Sequence, residues 1–127
     1  MKDGIYNVDI YWPDELTETI KNLLSDRMTI ARTDHYDRRV EKYGFNLGVY
    51  KAALFGEVVE ATVSAGKVVK MVTRISNKYD SGEDICFVVS ICWNPEAEVN
   101  VAIVRTVWPN NGDDYHLTKD KSKYVES

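Results

Sequence analysis

The chain has 127 residues, 44% of them hydrophobic and 28% charged, with a formal net charge of -4. That length predicts one domain whose core needs no disulfide or metal staple. No apolar run nears the ~20 residues that span a bilayer, and the first residues, MKDGIYNVDIYW, lack the apolar centre of a secretory signal. A cytoplasmic protein with no membrane partner is expected.

The elements follow in chain order. Residues 5–12 alternate, with Tyr6, Val8, Ile10 and Trp12 on one side, which predicts a strand. Pro13, Asp14 and Glu15 open a helix whose apolar stripe is Leu16, Ile20 and Leu23 or Leu24. Residues 28–33 predict a short strand. Asp34 is the expected N-cap of a helix striped by Tyr36, Val40 and Tyr43 and stopped by Gly44. Asn46 caps a second short helix, with Leu47, Tyr50, Ala53 and Leu54 inward and Gly56 at its end.

Beyond Gly56 the apolar period changes from 3.6 to 2. EVVEATV and KVVKMVTRIS read as a hairpin joined by Ser-Ala-Gly. ICFVVSICW and VNVAIVRTVW read as central strands. Cys86 and Cys92 then stand about 20 Å apart along one strand, too far to pair, so buried, reduced thiols are expected. The predicted fold is α+β: two short helices and an N-terminal strand–helix extension on one face of a curved, roughly four-stranded antiparallel sheet.

Alternation divides the strands into faces. The helix side is expected to take Val69, Met71 and Ile75, then Ile85, Phe87, Val89, Ile91 and Trp93, then Val101, Ile103 and Val107. The other face would carry Lys70, Arg74, Ser90, Cys92, Thr106 and Trp108, cations and hydroxyls suited to an anion. A Lys and an Arg on a solvent face are equally ordinary. The net charge disfavours nucleic acid, whose phosphates want a basic surface. It is uneven, however: residues 1–30 hold six acids and three bases, and residues 31–127 fourteen and thirteen.

His35 and Arg39 lie one turn apart on the first short helix, and Lys42 continues their face. A His beside a cation can serve as a base, or it can be an ordinary surface residue. Asp34, His35, Asp113, Asp114 and His116 match no metal-ligand spacing, and no metal or other cofactor is expected.

TDHYDRRVEKYGFNLGVYKAALFGEVVEA, with KMVTRI, DICFVVSI and VRTVWPNNGDDYHLTKDKSKY, resembles the RelE, ParE and colicin D group of small toxin-like ribonucleases, many from phage and mobile elements. The resemblance spans about residues 28–124 and leaves 1–27 as an extension within a single domain, 1–127. It implies two helices followed by a four-stranded antiparallel sheet, and metal-independent cleavage of RNA by attack of a 2′-hydroxyl. By position it implies catalytic roles for His35, Arg39, Arg74, Thr106 and His116. Lys70, from the face reading, and Lys121, Lys123 and Tyr124 are the candidates for substrate binding. Members of the group are usually basic, and this chain is acidic. Some relatives act by binding a protein, so the alternative is a non-enzymatic phage or mobile-element protein that modulates a host or defence protein. The partners to expect are RNA, a host or antitoxin-like protein, and a second copy of the chain.

Overall fold

The computed structural model describes residues 1–76, 84–110 and 123–126. The described elements are β1 (Gly4–Asn7), α1 (Asp14–Ser25), β2 (Met28–Arg32), α2 (Asp34–Tyr43), a 3₁₀ helix (Leu47–Phe55), β3 (Glu57–Ser64), β4 (Lys67–Ile75), β5 (Asp84–Asn94) and β6 (Val99–Asn110). They form an α+β fold with one six-stranded sheet ordered β1-β3-β4-β5-β6-β2. The expected four-stranded antiparallel sheet is therefore only its centre. β1 adds antiparallel to β3, and β2 adds parallel to β6. Among the described residues no helix is long and apolar enough to cross a membrane.

Local chemistry explains the boundaries. Thr33, not Asp34, caps α2: its Oγ1 accepts from the Tyr36 amide at 3.1 Å and donates to the Arg105 carbonyl at 3.0 Å. Gly44 ends α2 in the left-handed region, where a residue without Cβ is unstrained. Asn46 does cap the following turn, accepting from the Gly48 amide at 2.8 Å. That segment winds as a 3₁₀ helix, and Leu47 is exposed rather than inward. Ala65 and Gly66 both take positive φ, the two-residue hairpin turn that matches strand twist.

All three helices lie on one face of the sheet and bury two apolar clusters. The first joins Tyr36 and Val40 of α2 and Ala53 to Ile85, Phe87 and Val89 of β5 and Ala102, Val104 and Val107 of β6. The second joins Leu16 and Ile20 of α1 to Tyr6, Ala61, Val63, Val68, Met71 and Val125. Leu54 and Ile91 pack against both.

The N-terminal segment thus supplies an edge strand and half of one core. The C-terminal residues seal it. The Val125 amide donates to the Ile5 carbonyl at 2.8 Å, and Tyr124 bridges to Ile5 in parallel. A side chain at Gly4 would collide with Val125.

Two bulges correct the expected faces. Between β3 and β4 the pairing passes from Thr62–Lys70 to Val63–Val68. Val69 is the extra residue, so Val68 enters the core in its place. Between β5 and β6 the pairing passes from Val88–Thr106 to Val89–Val104. Arg105 is the extra residue there. Ala102 and Val104 face the helices, and Val101 and Ile103 turn to the opposite face.

Candidate functional site

The face away from the helices carries the candidate site. Three cross-strand rows define it: Lys70–Ser90–Ile103, Val72–Val88–Thr106 and Arg74–Cys86–Trp108. Lys70, Arg74, Ser90, Thr106 and Trp108 therefore share one face, as alternation requires. The bulge adds a cation that alternation hides. Arg105 Nε donates to Ser90 Oγ at 3.1 Å, which brings the Arg105 guanidinium beside the Lys70–Ser90 row. Lys70 and Arg105 are both exposed.

The two ends of this face differ. Cys86 is fully buried and Val72 nearly so, and Arg74 is only partly exposed. Arg74, Cys86 and Trp108 are each engaged in interactions of their own. Glu57 stands opposite Arg74 across β3, and Glu60 opposite Val72. Positive charge is therefore least opposed around Lys70, Ser90 and Arg105.

Those of the remaining expected site residues that the structure describes do not join this group. α2 lies on the other side of the sheet, with Tyr36 and Val40 turned into the first cluster. His35 is exposed there, and its Nε2 accepts from Arg39 Nε at 3.4 Å. The sheet stands between α2 and the face holding Arg74 and Thr106. Tyr124 is 4% exposed and serves as part of the C-terminal seal, not as a surface for substrate. Lys123 is exposed, its Nζ 5.1 Å from the Tyr124 ring centre. His116 and Lys121 lie outside the described residues. Among the described residues no cluster of His, Cys, Asp and Glu could hold a metal.

A second concavity lies at the far end of the helix-covered face. Trp93, predicted to face inward, does point to the helix side but stays 60% exposed. It lines two adjoining clefts of about 390 and 500 Å³ and shares both with Asp26 and Asn100. Thr19, Asn22 and Leu23 of α1 line the first cleft with it.

Compared with known families, with curated proteins and with solved structures, the chain gives no match.

Proposed function

We propose that this protein holds an RNA backbone on the helix-free face of its sheet and acts as a metal-independent, RelE-like endoribonuclease. The observation that carries the reading is the Lys70–Ser90–Arg105 group. Two exposed cations and a hydroxyl stand together on the central strands, as a phosphate requires. In such a reaction a base takes the ribose 2′-hydroxyl proton as that oxygen attacks the adjacent phosphorus, and the bond to the leaving 5′-oxygen breaks as an acid protonates it. The products carry a 2′,3′-cyclic phosphate and a 5′-hydroxyl. Cations beside the phosphate stabilise the added negative charge of the transition state.

A second reading has its own support. His35 and Arg39 pair with each other across the sheet from this group, so the described face has cations but neither of the residues expected to serve as a base and its partner. Binding without cleavage would follow from that arrangement.

One experiment separates the two. Single-stranded and structured RNAs are incubated with the protein in EDTA, and both retention and 2′,3′-cyclic phosphate ends are measured. The enzyme reading expects both, with retention falling for Lys70→Ala and Arg105→Ala and the salt slope shrinking by about 0.7 for each lost contact to a single strand. Retention without new ends supports the binding reading, and no retention at low salt overturns both.

A further inference from the structure

We propose that the Trp93 cleft is a nucleobase-binding site that takes one unpaired base bearing an exocyclic amino group. The ligand class deepens the RNA reading above and rests on it, but the site itself is built from different residues on the opposite face of the sheet.

Trp93 leaves more than half of its surface to solvent at the end of β5. The strand ends there in a fixed turn: Asn94 Oδ1 accepts from the amides of Glu96 at 3.1 Å and Ala97 at 3.3 Å. The indole is thus mounted on a rigid element, and a preorganised aromatic face loses little entropy on stacking. A purely apolar hollow would suit an aliphatic chain, but polar side chains also line this one. Asn22 and Asn100 line the first cleft, and neither side chain makes a hydrogen bond within the described structure. Each amide offers donors and an acceptor in one plane, which matches the edge of a base.

Asp26 lines both clefts beside Asn100. Its carboxylate only accepts, so it favours a ring edge that donates. The amino groups of cytosine, adenine and guanine do so at the rim of the ring, whereas uracil donates on that edge only through N3–H, between two carbonyls that a carboxylate repels. Lys67 lines the first cleft, and Arg27 lines the second together with Glu98. Each cleft thus offers one cation to the phosphate attached to the base. A stacking ring, planar polar side chains and cations are the features that bind single strands.

The test titrates the full chain with the 5′-monophosphates of cytidine, adenosine, guanosine and uridine, following tryptophan fluorescence. Quenching is expected with the first three at lower concentration than with uridine. Trp93→Ala should weaken binding about fivefold to a hundredfold, the loss of one base–aromatic stack. Asp26→Asn should erase the preference for cytidine over uridine. Because Trp93 is exposed, its replacement leaves the fold intact, and Asn100→Ala gives a second reading of the same site. No quenching by any nucleotide at millimolar concentration overturns the proposal, as does nucleotide affinity that calorimetry finds unchanged in Trp93→Ala, or quenching matched by glucose. The two readings fail separately. RNA retained through Lys70 and Arg105 with no nucleotide binding overturns the cleft alone. Nucleotide binding that depends on Trp93, without RNA retention, supports the cleft and overturns the RNA reading.

Discussion

The two core clusters are closed in different ways. The first is built from neighbours in sequence: β2 leads directly into α2, α2 into the 3₁₀ helix, and both pack on β5 and β6. The second is closed by the two ends of the chain. Tyr6, Leu16 and Ile20 come from the first 20 residues, and Val125 comes from the last three. A segment that reads as an appendage is therefore structural. Its removal would expose Ala61, Val63 and Met71, and it would leave β3 as a bare edge.

The largest effects should come from emptying each cluster in turn. Phe87 and Leu16 are fully buried, one in each. Phe87→Ala should cost about 3–5 kcal/mol and Leu16→Ala about 2–5 kcal/mol, as cavities in packed cores do. Urea titration followed by both fluorescence and circular dichroism provides the check. If the clusters form one cooperative unit through Leu54 and Ile91, the two probes coincide in both variants. An unchanged midpoint in Leu16→Ala would return residues 1–27 to the status of an appendage.

What the sequence makes legible follows from how local each signal is. The helix stripes at Leu16 and Ile20, and at Tyr36 and Val40, and the stop at Gly44 are short-range patterns, and they appear as expected. The Ala65–Gly66 turn is equally local. The parallel pairing of β2 with β6 joins residues about seventy positions apart through a five-residue edge strand, and no local pattern encodes it. The bulges shift the faces because strict alternation carries one error along the rest of a strand. Arg105 did leave a trace: strict alternation places it among Val101, Ile103 and Val107, and a charge in an inward row marks a break in phase. The face shared by Arg74 and Thr106 was legible beyond the bulge. The position of His35 across the sheet was not, because helix periodicity does not say which face of a sheet receives the helix.

The next effect separates the clusters by pH. Tyr36 lies in the first cluster and donates to the Leu47 carbonyl at 3.1 Å. Burial holds its phenol up at about 12 against an ordinary 10. The folded state thus keeps a proton that the unfolded state loses, so stability is complete below pH 10 and falls as pH rises toward 12. The loss should be on the order of 3 kcal/mol, at about 1.4 kcal/mol for each unit. Tyr6 in the second cluster is also raised, first by burial and then by Tyr11, Glu15 and Asp3. Tyr36→Phe should remove most of the alkaline decline, and Tyr6→Phe a smaller part. A decline unchanged in Tyr36→Phe would assign it to other groups.

The smallest effect tests whether the first cluster is as local as its chain order suggests. Thr33 joins α2 to the sheet through one hydroxyl, which accepts from Tyr36 and donates to Arg105. Thr33→Ala loses the cap and should cost about 1 kcal/mol. It also frees the Arg105 carbonyl at the bulge, next to the residues proposed to hold phosphate. Amide hydrogen exchange should therefore quicken at the start of α2 and around Arg105, with α1 and β1 unchanged. Exchange that quickens equally in α1 would show that the cap acts through the whole fold. The contrast between a core closed by neighbours and a core closed by chain ends would then concern assembly and not local stability.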